Sequence, residues 1–208
     1  MAFGKANAKK GIEMKMNLPN KLTVLRLCMV PVIIIVMLIP IPPLASRLLA
    51  AAVFGLTSLT DMLDGKIARK RGLVTDFGKF LDPLADKFMV IAAMLVILFK
   101  YDGMISYFCF AATMIVIMRE LAVTSIRLVA SSKGGVVVAA NMLGKIKTCT
   151  QIAFILCALL EPVLFENILK ITDYHILTYT TMLLATFFTI WSGLNYITSY
   201  WKFLDPNK

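Results

Sequence analysis

Residues 61–86 read DMLDGKIARKRGLVTDFGKFLDPLAD, and this stretch decides both the fold and the chemistry that the sequence predicts. Asp61 and Asp64 are three residues apart and Asp82 and Asp86 are four apart, so each pair shares one face of a helix. The polar, glycine-containing segment between the pairs predicts a turn that makes the two helices antiparallel neighbours. Four carboxylates are therefore expected to converge at one depth of the structure.

Apolar segments recur along the whole chain on both sides of these carboxylates. Of 208 residues, 59% are hydrophobic, which excludes an ordinary soluble domain. Apolar runs of membrane-spanning length are predicted at about 22–41, 44–62 (helical to about 69), 80–99, 104–129, 142–160 and 176–200. We predict an all-α bundle of six transmembrane helices in one domain, residues 19–208. The basic segment 1–18 precedes it, and an interfacial amphipathic helix and a basic tail both fit that segment.

The distribution of positive charge predicts the orientation of the bundle. Lys and Arg gather before the first span, between the second and third, between the fourth and fifth, and after the sixth. The opposite side receives Arg47, Lys100 and Lys170. Both termini are therefore expected on the cytoplasmic side. The net charge of +10 fits this bias, and it also fits attraction of anionic lipids and phosphate substrates. We expect no nucleic acid partner, because the basic residues are dispersed among the spans.

Histidine and cysteine usage excludes several kinds of metal chemistry. His175 is the single histidine, which argues against haem, a histidine-ligated di-iron centre and zinc of the HExxH type. The four cysteines lie in or beside apolar spans without a CxxC pair, so they are interpreted as small hydrophobic residues.

Four clustered carboxylates favour binding of hard divalent cations. Like charges at close range cannot stay ionised without compensation, and all-oxygen ligation favours Mg²⁺, Mn²⁺ or Ca²⁺. Two ions bridged by four carboxylates would suit phosphoryl transfer. The small residues Gly65, Ala68 and Gly78 would let a nucleotide approach the backbone. Pairing of the acids with Lys66 or Lys87, and a proton relay, are the alternatives for single aspartates.

A second polar group is predicted on the fourth and fifth spans. Arg119 lies deep in an apolar run, where a bare charge is unfavourable unless it meets an anion. The adjacent Glu120 is expected to pair with it poorly, because neighbouring helical residues point about 100° apart. Such residues suit a phosphoryl acceptor molecule that carries a phosphate of its own. The predicted ligands for that phosphate are Arg119, Arg127, Lys145 and Thr148. Whether Lys147 binds that phosphate or extends to the membrane interface stays open.

The aspartate window also resembles a known family. The pattern DxxDGxxAR at 61–69, eight residues, then GxxxDxxxD at 78–86 is similar to the signature of the CDP-alcohol phosphotransferases. This resemblance implies transfer of a phosphatidyl group from CDP-diacylglycerol to an alcohol, with release of CMP. It implies that two divalent cations, Mg²⁺ or else Mn²⁺, are held by Asp61, Asp64, Asp82 and Asp86, with Asp86 also as general base. The residues that it implies contact CDP-diacylglycerol are Asn20, Thr23, Gly65, Ala68, Arg69, Thr75 and Gly78.

Within that family, Arg119-Glu120 and residues 144–148 (GKIKT) resemble the bacterial phosphatidylglycerophosphate synthases. This implies glycerol 3-phosphate as acceptor, a homodimer, and a place in the bacterial cytoplasmic membrane with the active site facing the cytoplasm. Sister enzymes that use inositol phosphate, serine or phosphatidylglycerol are the alternatives for the acceptor. A cation-coupled transporter and an inactive membrane protein are the alternatives of other classes.

Overall fold

The computed structural model describes residues 18–71, 76–134, 142–170 and 175–201, and for residues 18, 19, 63–71, 76, 77, 79, 131–134 and 167 it describes the backbone alone. These ranges form six α-helices without a strand, which confirms the predicted all-α fold. The helices are α1 Leu18–Leu38, α2 Pro43–Arg71, α3 Asp76–Leu98, α4 Met104–Gly134, α5 Met142–Pro162 and α6 Ile176–Tyr200, and a π-helical segment Val163–Ile168 directly continues α5. Each predicted span corresponds to one helix.

Five of these helices are long and apolar enough to cross a membrane. Their apolar stretches are Asn20–Leu38, Pro43–Met62, Met104–Ala130, Met142–Glu166 and Ile176–Tyr200. Helix α3 is not among them, because every stretch of that length within it contains the three charged residues Asp82, Asp86 and Lys87. The described structure thus supports an integral membrane protein, and its charged helix is the one that carries half of the aspartate pattern.

Helix α3 packs against three other helices, α1, α4 and α5. Helix α1 contacts α2 and α3, whereas α4 contacts α3 and α6, and α5 contacts α6, α2 and α3. The shared core contains the fully buried side chains of Phe54, Met94, Ile97, Val116 and Phe154. Between lipid-embedded helices such a core holds by close packing, since lipid is as apolar as the side chains themselves.

Helix α6 is fixed to α5 by two buried polar contacts. Near its middle, Gln151 Nε2 donates a hydrogen bond of 3.1 Å to Thr189 Oγ1. At its start, the Glu161 carboxylate accepts hydrogen bonds from the backbone N–H groups of Leu177 (2.8 Å) and Thr178 (2.6 Å). The first N–H groups of a helix have no partner within the helix, so this buried carboxylate supplies their acceptor.

Replacing Glu161 by Ala should therefore destabilise the protein. Two backbone N–H groups, one of them buried, would lose their acceptor, a loss of about 2 kcal/mol. Glu161→Gln should lose less, because an amide oxygen still accepts one of the two bonds. Thermal unfolding in detergent measures both. Glu166→Ala, at an exposed position of the adjoining π-helical segment, is the matched control, and an equal effect of the two alanine variants would contradict the capping role.

Candidate functional site

One face of α1 lies opposite the predicted carboxylates. Thr23 and Arg26 are three residues apart, so they project from the same side of the helix. Thr23 Oγ1 donates a hydrogen bond to Asp82 Oδ1. Arg26 Nη2 lies 2.6 Å from Asp61 Oδ1, and Arg26 Nη1 donates to Asp86 Oδ1 at 3.0 Å. We call these five residues of α1, α2 and α3 the carboxylate cluster.

The cluster is buried on its arginine side and open on its carboxylate side. The side chain of Arg26 is 4% exposed, whereas those of Asp61 and Asp86 are 37% and 45% exposed. An arginine this deep in an apolar bundle requires anions, and the two carboxylates meet that requirement. The accessible side therefore presents carboxylate oxygens, which is the arrangement needed to bind a cationic ligand.

Arg26 was not predicted as part of the site. A signal for it is present in the sequence, because it is an ionisable residue inside the apolar stretch Asn20–Leu38. The argument that identified Arg119, a charge deep within a span, applies equally to Arg26.

The structure describes some of the other residues predicted to bind CDP-diacylglycerol in full, some by their backbone alone, and one not at all. Asn20 is buried one turn before Thr23, and Gly78 is buried near the start of α3. The backbone of α2 includes Asp64, Gly65, Ala68 and Arg69, whose side chains lie outside the description. Thr75 lies outside the described residues altogether.

The donor set of the carboxylate cluster fits a hard divalent cation. Asp61 and Asp86, from different helices, already contact one cationic group, so their oxygens face a shared space. Carboxylate oxygens are the ligands that Mg²⁺ and Mn²⁺ prefer. Among the side chains that the structure describes, no three carboxylates meet at one point, and the fourth predicted ligand, Asp64, is outside that set.

A second group of polar side chains surrounds Glu120 on α4. Glu120 Oε1 accepts a hydrogen bond from Arg119 Nη1 at 2.9 Å and another from Lys147 Nζ of α5. Lys87 Nζ of α3 is 3.9 Å from Glu120 Oε2 and also donates to Thr124 Oγ1. We name this group, completed by contacts to α6, the basic cluster. Its members are Lys87, Arg119, Glu120, Thr124, Arg127, Lys147, Ser192 and Tyr196.

Helix α6 closes the basic cluster. Arg119 Nη2 donates a hydrogen bond of 2.7 Å to Ser192 Oγ, and Arg127 Nε donates one of 3.3 Å to Tyr196 Oη. Arg127 also lies over the Tyr196 ring, 5.8 Å from its centroid. The cluster thus brings together two of the four residues predicted for the acceptor, Arg119 and Arg127.

The other two lie on another side of α5. Lys145 is exposed and lies with Met142, Ile146 and Cys149 along an open apolar groove. Thr148 is exposed, and its hydroxyl donates to a carbonyl of its own helix at 3.1 Å. Since residues two apart on a helix point nearly opposite ways, burial of Lys147 in the cluster turns Lys145 outward.

One expectation about pairing was wrong, and one of the alternatives does not match the described contacts. Arg119 does pair with the adjacent Glu120, because both side chains are long enough to bend towards each other across the 100° that separates their Cβ atoms. Lys87 does not pair with an aspartate in the described contacts; it contacts Glu120 and Thr124 instead. Lys66 has a side chain outside the description.

The two clusters are direct neighbours through α3. Asp86 belongs to the carboxylate cluster and the next residue, Lys87, to the basic cluster. Consecutive helical residues lie at nearly the same depth and point about 100° apart. A ligand that carries both a reacting hydroxyl and an anionic group could therefore contact both clusters at once.

The position of Arg119 also depends on a glycine of α6. A Cβ atom at Gly193 would lie 3.0 Å from Arg119 Cγ, closer than ordinary van der Waals contact. Glycine at this position therefore allows the arginine to pass α6 and reach Ser192. This packing lies outside the motif, and no signal in the sequence identified it.

Gly193→Ala should destabilise the protein by about 1 kcal/mol, because the added methyl group overpacks against Arg119. Thermal unfolding in detergent measures the change. In an Arg119→Ala background the penalty should disappear, since the clashing side chain is gone, and equal penalties in both backgrounds would contradict the contact. Gly55→Ala is the control: its Cβ would meet Leu156 at an ordinary 3.8 Å, so it should be neutral or slightly stabilising.

Comparison with known proteins finds a family model and named relatives that match most of the chain. The family model described as CDP-alcohol phosphatidyltransferase matches residues 16–191. A CDP-diacylglycerol–glycerol-3-phosphate 3-phosphatidyltransferase of Bacillus subtilis (strain 168) is 42% identical over 204 residues, covering 92% of this chain and 99% of the relative. Proteins of that name from Pseudomonas fluorescens and Rickettsia bellii are 34% and 36% identical, covering 92% and 90% of this chain and 94% and 97% of their own lengths.

Proposed function

We infer what this chain does from the family to which it belongs, that of the CDP-alcohol phosphatidyltransferases. We propose that it transfers the phosphatidyl group of CDP-diacylglycerol to a hydroxyl of glycerol 3-phosphate, giving phosphatidylglycerophosphate and CMP. The observation that carries the choice of acceptor is the adjacency of Asp86 and Lys87, which places a cationic cluster directly beside the carboxylates. The names of the relatives support the same acceptor.

The carboxylate cluster would bind the diphosphate side of the reaction. Asp61, Asp64, Asp82 and Asp86 would hold two divalent cations, Mg²⁺ or else Mn²⁺. When bound, such ions neutralise the diphosphate and make CMP a better leaving group. Asn20 and Thr23 of α1, with Gly65, Ala68, Arg69, Thr75 and Gly78, would contact the CDP portion. Arg26 would keep Asp61 and Asp86 in position from the buried side.

The chemical step needs one base and no protein nucleophile. The Asp86 carboxylate would accept the proton of the acceptor hydroxyl as that oxygen attacks the phosphorus of the phosphatidyl group. A phosphorus–oxygen bond to the acceptor forms, and the bond to CMP breaks. A base has to lie within hydrogen-bond reach of the hydroxyl, so the acceptor must be held beside Asp86.

The basic cluster would hold the acceptor in that position through its phosphate. Arg119 and Arg127 of α4 and Lys147 of α5 belong to this cluster, and Lys87 of α3 links it to the position next to Asp86. An arginine fork and an ammonium group are suited to a phosphate monoester. This charge favours glycerol 3-phosphate over serine as acceptor.

The proposal includes a membrane arrangement. Helix α3 would be the sixth span, since its charged residues Asp82, Asp86 and Lys87 have partners on neighbouring helices. The bias of basic residues would place both termini and the site on the cytoplasmic side of a bacterial cell membrane. Residues 1–18 would lie at the interface, and the family resemblance suggests a homodimer.

Release of CMP by the purified protein tests the reaction and the acceptor together. CDP-diacylglycerol and Mg²⁺ are supplied with glycerol 3-phosphate, inositol phosphate, serine or phosphatidylglycerol, one at a time. We expect release with glycerol 3-phosphate. Asp86→Asn should reduce it by on the order of 10³-fold or more while the protein stays folded, because the amide keeps the shape and loses the base. Asp102→Asn, between α3 and α4, is the control and should remain active.

Release with another alcohol alone would keep the carboxylate mechanism and overturn the acceptor. Full activity of Asp86→Asn would overturn its assignment as base. Absence of release with every acceptor, from folded protein, would overturn the proposed reaction.

The two lysines of α5 give a matched test of the acceptor site. Lys147→Met should raise the KM for glycerol 3-phosphate about tenfold or more and leave the KM for CDP-diacylglycerol nearly unchanged, because a charged hydrogen bond to the acceptor is lost. Lys145→Met should change either KM by less than about twofold, because Lys145 is exposed outside the cluster. Steady-state kinetics on both variants decides. The reverse order of effects would move the acceptor to the Lys145 side of α5.

A further inference from the structure

The basic cluster contains its own anion. Glu120 is 8% exposed, and its carboxylate contacts Arg119, Lys147 and Lys87, which come from α4, α5 and α3. These cations are among those proposed to bind the acceptor's phosphate. A buried carboxylate therefore competes with that phosphate for the same donors.

Two observations show that the donors are not fully used by Glu120. Arg119 also reaches Ser192 on α6, and its buried Nε has no hydrogen-bond partner among the described residues. Lys87 lies 3.9 Å from the carboxylate and is 30% exposed. Three cationic side chains contact the single Glu120 carboxylate, and a fourth, Arg127, lies in the same cluster against Tyr196. An additional anion is thus still attracted, but less strongly than it would be without Glu120.

The weaker attraction for the acceptor's phosphate affects how readily the product is released. The proposed reaction takes place at the acceptor's hydroxyl, and its phosphate passes unchanged into the product. Contacts to that phosphate are therefore equally strong in substrate, transition state and product, so they lower KM without accelerating the chemical step. If the cluster bound the phosphate too tightly, it would retain the product.

We propose that Glu120 is a positioning residue with two effects: it holds Arg119, Lys147 and Lys87 together across three helices, and it limits their attraction for the acceptor's phosphate so that product leaves. The inference rests on the proposed function, because it names how the acceptor site of that reaction is regulated. Glu120 touches neither reacting atom; it acts through the cations it holds.

Binding and kinetics of Glu120→Gln test the inference. The amide keeps an oxygen for Lys147 and Arg119 but removes the negative charge. Calorimetry in detergent at low chloride should show inorganic phosphate and glycerol 3-phosphate bound on the order of tenfold more tightly than in the wild type. The KM for glycerol 3-phosphate and kcat should both fall. Glu166→Gln removes the same charge at an exposed position of the π-helical segment and should leave both unchanged.

A purely structural role predicts the opposite result. If Glu120 only holds the cations in place, Glu120→Gln should bind phosphate more weakly and raise the KM, and that outcome overturns the proposal. Should Glu120→Gln not fold, Glu120→Asp decides, because the shorter side chain withdraws the charge from Arg119 and Lys147. We then expect phosphate binding about two- to threefold tighter than in the wild type. Unchanged or weaker binding in that variant overturns the proposal.

The wild type separates this inference from the proposed function. Wild-type protein that binds phosphate, together with a Glu120→Gln variant that binds it more weakly, overturns the role of Glu120 alone. Wild-type protein that releases CMP with an acceptor lacking a phosphate, and binds neither phosphate nor glycerol 3-phosphate, overturns both.

Discussion

A charged side chain within an apolar helix bundle has to meet opposite charge, and the arrangement of these helices depends on that requirement. Two buried side chains of opposite charge each have partners that meet this requirement. Arg26 is a cation placed between the carboxylates of α2 and α3, whereas Glu120 is an anion placed among cations of α3, α4 and α5. Because lipid gives the helices little reason to associate through hydrophobicity, such contacts also fix which helices are neighbours.

The sequence alone was sufficient for the six helices, and in the structure Asp61, Asp82 and Asp86 each contact Arg26 or Thr23 on one face of α1. Aspartates at three- and four-residue spacing around a polar turn leave few other arrangements. It was not sufficient for the partners of the charges. Arg119 pairs with Glu120 although the Cβ atoms of adjacent helical residues point about 100° apart. The rotatable bonds of a long side chain let the charged groups meet despite that angle.

The inward face of α5 was harder to predict for a different reason. Apolar residues occur all around a lipid-embedded helix, so hydrophobic periodicity does not mark which side packs on protein. Lys145 and Lys147 therefore look equivalent in the sequence, and only the packing of α5 against α6 and α3 distinguishes them. Packing likewise reveals Gly193 and Ser192, which accommodate Arg119 from a helix that carries none of the predicted site residues.

The two clusters face different demands under the proposed reaction. On the carboxylate side the reaction splits the diphosphate, and its charge is divided between the product and CMP. Exchangeable divalent cations held by fixed carboxylates suit this side, because CMP must leave. On the basic side the phosphate persists from substrate to product, and fixed cations attract both equally. A fixed carboxylate among those cations lowers the attraction for both. Because Asp86 and Lys87 are consecutive in α3, one helix keeps these two electrostatic environments separate and at the same depth.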